Sequence, residues 1–86
     1  MNNIGDNIRK LRILFDFKQN AMAKLIGISV NSYGKIERNE VLISQERLAQ
    51  IANVLGIEPA YITNLNDVVN TLKSPQKENN SSAQNN

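Results

Sequence analysis

The stretch at residues 19–37, QNAMAKLIGISVNSYGKIE, constrains the fold more than any other part of the chain. Met22, Ala23 and Ile26 recur at helical spacing, which predicts an amphipathic helix over about 19–26. Gly27 suits the left-handed conformation that ends a helix, and Ser29 is a good N-cap for the next one. A second helix over about 30–38, laid out at ~100° per residue, puts Tyr33, Ile36 and Glu37 on one side. Asn31, Gly34, Lys35 and Arg38 fall on the other. The expectation is therefore helix, short turn, helix, with the second helix packing through one side and turning polar groups outward on the other.

The flanking sequence supplies what these two helices need to pack against. Ile4, Ile8, Leu11 and Phe15 form one apolar stripe and predict a first helix over about 4–15, with Asp16 in the turn after it. Ser44 is an N-cap for a fourth helix over about 45–55, whose apolar face is Leu48, Ile51, Ala52 and Leu55. Ile43, just before the cap, is placed to staple onto Leu48. Gly56 ends that helix, and Pro59, favourable at a first helical position, opens a fifth over about 59–64. Tyr61, Ile62 and Leu65 are expected to seal the bundle. Val68, Val69 and Leu72 allow a short helical extension over 67–73. From residue 74 to 86 the sequence SPQKENNSSAQNN has Ala83 as its one apolar residue, too little to offset its ordering entropy, and is expected to be a disordered polar tail.

Eighty-six residues, 41% apolar, with two Phe, two Tyr and no Trp, make one small all-α domain with an aliphatic core. No apolar run approaches the ~20 residues that cross a bilayer, and the N-terminus has no signal-peptide core, so no membrane association and a cytoplasmic location are expected. The absence of Cys removes disulfides, zinc–thiolate sites and thiol catalysis. The absence of His removes the commonest general base and metal ligand. The carboxylates are scattered and there is no phosphate loop or nucleophile–base pair. Neither an enzyme nor a cofactor or metal site is expected. The net charge of +2 is unevenly spread. Residues 1–38 hold seven Lys/Arg against three Asp/Glu, and residues 39–86 hold three against five. Either the basic half faces a polyanion or the excess is ordinary solvation.

The run resembles the lambda-repressor-like helix-turn-helix family, the Cro or xenobiotic-response-element type. The matching positions are Gln19 at the start of the first motif helix, Met22-Ala23, the turn Gly27-Ile28-Ser29, and Ile36-Glu37-Arg38-Asn39 at the end of the second. Three positions depart from the pattern. Met22 replaces Leu, Asn39 replaces Gly, and Lys18 stands at the usual Ser/Thr cap, leaving the first N–H groups of that helix without a good side-chain acceptor. The resemblance runs in register from about Ile4 to Leu65. It implies a compact five-helix DNA-binding domain at residues 1–66.

The resemblance also implies function. Helix 30–38 would enter the major groove of double-stranded DNA, with Asn31 able to bond an adenine edge, Lys35 a guanine, Val30 a thymine methyl, and Ser29 a base or phosphate. Ser32, Gly34 and Arg38 join this DNA-binding set. Gly34 is costly inside a helix, so its presence on the outward face indicates either close approach of the backbone to DNA or tolerated drift. Gln19, assisted by Lys18, would hold a phosphate. Taken singly, Asn31 and Lys35 are ordinary surface residues; their place in the motif changes that. Arg12 is either a solvated base with its stem packed along the first helix or, as in similar domains, the partner of Glu37. One reading helix covers few base pairs, so a homodimer on a pseudo-palindromic operator is expected, with Pro59, Tyr61 and Ile62 as its contact. In the alternative reading, Tyr61 and Ile62 only close the core. The competing function is a protein-interaction module on the same scaffold, such as an antitoxin, using Ile13, Leu14, Val41 and Leu42.

Overall fold

The computed structural model describes residues 3–65, which fold as α1 (Ile4–Leu14), α2 (Gln19–Leu25), α3 (Val30–Glu37), α4 (Gln45–Leu55) and α5 (Pro59–Thr63). The extension at 67–73 and the tail at 74–86 lie outside the described residues. Each helix contributes one fully buried large side chain to a single core: Ile8, Met22, Tyr33, Ile51 and Ile62 in chain order. Leu11, Ala23, Ile26, Ile36, Leu48, Ala52, Leu55 and Leu65 complete it, and Ile4, Phe17, Ile28 and Ile43 pack against its edge.

Short helices can pack this closely because the first four stop in the same way. Asp16, Gly27, Asn39 and Gly56 all have φ between 60° and 76°. After each, the next N–H reaches back to the carbonyl five residues earlier: Phe17 to Arg12, Ile28 to Ala23, Glu40 to Lys35 and Ile57 to Ala52, at 2.9–3.0 Å. A left-handed residue followed by this bond satisfies carbonyls that the helix end leaves open and reverses the chain within two residues. Asp and Asn adopt this conformation at modest cost, so glycine is not required at Asp16 or Asn39.

The same stop corrects the first helix. It ends at Leu14, one residue short of the expected stripe, and the left-handed Asp16 swings Phe15 out to 42% exposure. Phe17, beyond the turn, packs on the core instead. Tyr61 is likewise half exposed, not part of the seal; Ile62 and Leu65 close the bundle without it.

Two contacts lock α1 to the rest. Asn3 makes no side-chain cap; the Gly5 N–H is instead satisfied by Asn39 Oδ1 at 2.8 Å, across 34 residues of sequence. A Cβ on Gly5 would stand against the Ile36 carbonyl oxygen and 2.8 Å from that of Glu37, so only glycine lets α1 approach the end of α3. Asn7, 4% exposed, donates from Nδ2 to the Ile62 carbonyl at 2.7 Å and ties α1 to α5.

Candidate nucleic-acid interface

The turn between α2 and α3 sets the angle of α3. Gly27 closes α2, Ile28 packs on the core, and Ser29 accepts the Ser32 N–H at 3.0 Å as N-cap. Its hydroxyl also donates to Ser32 Oγ at 3.0 Å. α3 then buries Tyr33, Gly34, Ile36 and Glu37 and leaves Val30, Asn31, Ser32 and Lys35 exposed. Ser29 precedes this exposed row and Arg38 follows it, both also exposed. Six of the residues assigned to DNA from the sequence are thus exposed to solvent along and beside α3.

Beneath α3 lies the ion pair that holds it. Arg12 Nε and Nη2 donate to Glu37 Oε2 and Oε1 at 2.6 and 3.2 Å, and Nη1 donates to the Phe17 carbonyl at 2.8 Å. The two side chains are 12% and 2% exposed. The structure therefore brings Arg12 and Glu37 together as a bidentate pair joining α1, the α1–α2 turn and α3. Burial by itself raises the pKa of Glu37, but the hydrogen bonds, Arg12 first, outweigh it and hold the carboxyl below its ordinary value. The hydroxyl of Tyr33 is buried beside this pair with no hydrogen-bond partner, and burial, reinforced by the Glu37 carboxylate, pushes its pKa far above the ordinary tyrosine value.

Three sequence assignments change. Gln19 is half-buried and donates from Nε2 to Glu37 Oε1 at 3.0 Å, so this amide holds the ion pair in addition to any contact with phosphate. Gly34 is buried, not outward: it lies under the guanidinium of Arg38. Ile62 is fully buried in its own core and cannot belong to a contact surface between copies, whereas Pro59 and Tyr61 are exposed. Lys18 stands at the α2 N-cap with no side-chain cap bond, as its residue type implies.

Sequence reasoning missed Gly5, Asn7 and the long-range role of Asn39. A signal existed for the first two. Asn7 sits three residues after Ile4 and four before Leu11, within the apolar stripe, where a polar side chain needs a partner. Gly5 costs helix stability unless a close approach requires it. Arg47 of α4 was also unassigned; it donates to the Ile26 carbonyl and Gln50, and with Lys35 borders a groove of about 470 Å³ between α3, α4 and the segment linking them. Among the described residues no helix is long and apolar enough to cross a membrane, and no group of three or more His, Cys, Asp or Glu is placed to hold a metal.

The comparisons agree with this architecture. A helix-turn-helix family model matches residues 8–62. No curated protein matches the chain. Among solved structures it is similar to the P22 c2 repressor in complex with synthetic operator 9T, with 27% identity over 72% of this chain and 94% of that one, TM-score 0.64. It is similar to the DNA-binding domain of the same repressor in solution, with 30% identity over 72% and 84%, TM-score 0.66. The clp gene regulator ClgR from Corynebacterium glutamicum shares its fold, with 21% identity over 87% and 94%, TM-score 0.70. The match spans α2, α3 and the core that supports them, and the chain belongs to the lambda-repressor-like helix-turn-helix family of DNA-binding transcriptional regulators.

Proposed function

We propose that the protein acts as a repressor that binds a pseudo-palindromic double-stranded operator as a homodimer, seating α3 in the major groove. The observation that carries this reading is the division of α3: one face fixed to the core by Tyr33, Ile36 and Glu37, the other presenting Ser29, Val30, Asn31, Ser32 and Lys35 with the donors, acceptors and methyl groups that base edges match. Asn31 reads an adenine, Lys35 a guanine and Val30 a thymine methyl. Lys18, Gln19 and Arg38 contact the backbone. A relative of this fold was solved on operator DNA. Two copies place their reading helices on half-sites ~34 Å apart, with Pro59 and Tyr61 of α5 on the exposed surface suited to self-contact.

Selection from a pool of random duplexes tests the reading directly. Enrichment of one site with two-fold symmetry, bound more tightly than a single half-site and weakened steeply by salt, is the expected result. A second reading rests on Ile13, Leu14, Val41 and Leu42, the last 93% exposed, as a surface for a protein partner. It predicts an interaction indifferent to salt and no enriched duplex.

A further inference from the structure

Glu40 is an acidic side chain among the cations of the reading surface, and nothing in the reading above uses it. It stands one residue beyond the left-handed Asn39, and its Oε2 accepts a 2.7 Å hydrogen bond from Arg38 Nε. Both side chains are about half exposed. Arg38, with Lys35 adding its field, holds the Glu40 carboxyl below the usual range. Exposed pairs of this kind contribute little to stability. Their effect on geometry is larger.

Arg38 folds back over Gly34, one helical turn earlier. A Cβ on Gly34 would stand 2.9 Å from Nη1, 3.7 Å from Cζ and 3.9 Å from Nη2, and these are its three nearest atoms. The guanidinium can lie there because Gly34 has no side chain. Nε is engaged by Glu40, which leaves the Nη1–Nη2 fork for an external acceptor. At ~100° per residue, Gly34 lies ~60° around α3 from Glu37 and ~100° from Lys35. Glu37 in turn accepts from Gln19 at the start of α2. The Arg38 fork therefore lies over Gly34, at the edge of the buried face of α3, ~100° around the helix from Lys35. A helix in the major groove has phosphates along its flanks, and the guanidinium fork matches phosphate oxygens in pairs.

We propose that Arg38 is a clamp for one DNA phosphate, and that Gly34 and Glu40 are positioning residues that hold its guanidinium in place before DNA arrives. This rests on the DNA-binding reading, which already gives Arg38 to the backbone, and adds to it the two residues that hold the guanidinium ready for a phosphate. Holding the side chain in advance removes the ordering cost that a loose arginine meets on binding.

The test is a cycle of wild type, Gly34→Ala, Arg38→Ala and the double variant, titrated over a salt series. The probes are the duplex that the wild type enriches from a random pool, its single-base variants, and a scrambled duplex. Gly34→Ala is expected to weaken enriched and scrambled duplexes by the same factor, about two- to tenfold, the equivalent of ordering one long side chain. Its unfolding midpoint stays level or rises, because Ala is the better helix former. In the Arg38→Ala background the same change has no effect. Arg38→Ala lowers the salt slope by ~1 and leaves the ranking of single-base variants unchanged. Glu40→Ala removes a negative charge and so strengthens binding; the gain is larger in the Arg38→Ala background, because in the wild type the lost hold offsets it. Equal effects of Gly34→Ala, or of Glu40→Ala, in the two backgrounds would overturn the positioning role. Re-ranking of the base variants by Arg38→Ala would make it a reader and overturn the clamp. If the wild type enriches no duplex, the DNA-binding reading itself fails, an outcome distinct from either of these.

Discussion

α3 has two faces of opposite character, and the contrast separates what keeps this domain folded from what it does. The inner face meets α1 and the start of α2 through interlocked groups: Glu37 takes donors from Arg12 and Gln19, Asn39 caps Gly5, and Gly5 has backbone oxygens where a Cβ would stand. The outer face carries side chains whose structural contacts are local, the Ser29–Ser32 cap and the Arg38–Glu40 pair. A change on the inner face disturbs several partners at once, and its cost appears in stability. A change on the outer face leaves the fold alone and appears in binding.

The largest expected effect tests the inner face. Arg12→Ala leaves Glu37 buried and short of its charged partner, a loss of ~3 to 5 kcal/mol, whereas Arg9→Ala on the exposed side of α1 changes little. Urea unfolding of the two variants settles this, and equal midpoints would mean that the ion pair does not hold α1 to α3. The pH dependence sharpens it. Glu37 has its pKa lowered in the folded protein, so the pair stabilises fully above the ordinary carboxylate value of 4.5 and is lost as pH falls through the lower folded value. In Arg12→Ala that stabilisation is already gone. The stability gap between wild type and variant should therefore close as the pH is lowered below 4.5; a gap independent of pH would contradict the assignment.

Gly5→Ala comes next, at ~2 to 3 kcal/mol, because the added methyl meets carbonyl oxygens of α3 that the helix holds in place. On an ordinary exposed helix position the same change would stabilise. Thermal melts of Gly5→Ala and Gly34→Ala compare a glycine set against fixed backbone oxygens with one covered only by the end of an arginine side chain, the first falling and the second not. If Gly5→Ala melts at or above the wild type, α1 and α3 are less tightly apposed than the structure has them.

On the outer face, Lys35→Ala should cost ~1 to 3 kcal/mol on the preferred duplex and relax base preference at one or two positions. Stability should stay within ~0.5 kcal/mol of wild type. Affinities on a panel of single-base variants, alongside a melt, separate the two; an unchanged ranking would remove Lys35 from the reading set. The smallest effect belongs to the fully buried Tyr33 of the inner face. Tyr33→Phe removes a buried hydroxyl that has no hydrogen-bond partner, so the unfolding midpoint should stay level or rise by up to ~1 kcal/mol of stability. A clear loss would show that this hydroxyl donates to Glu37 in solution.

Five helices, their order and most of the core followed from period and punctuation in the sequence. Apolar spacing marked the faces, Ser29 and Ser44 marked starts, and Gly27 and Gly56 marked stops, because each is a local preference of a few residues. The exposed row of α3 was legible for the same reason, once its inner side was known to pack. Tertiary contact decided the rest. Phe15 continues the α1 stripe in sequence, but a left-handed Asp16 ends the helix before the stripe can use it. Gly34 has an outward position by helical angle, yet Arg38 covers it. Gln19 carries a surface side chain that Glu37 draws inward, and Gly5 and Asn7 find partners 34 and 55 residues away. Helical period fixes only the direction in which a side chain leaves its own helix. What it meets there, and so whether it holds the fold or remains for DNA, depends on which distant segment the folded core brings against it.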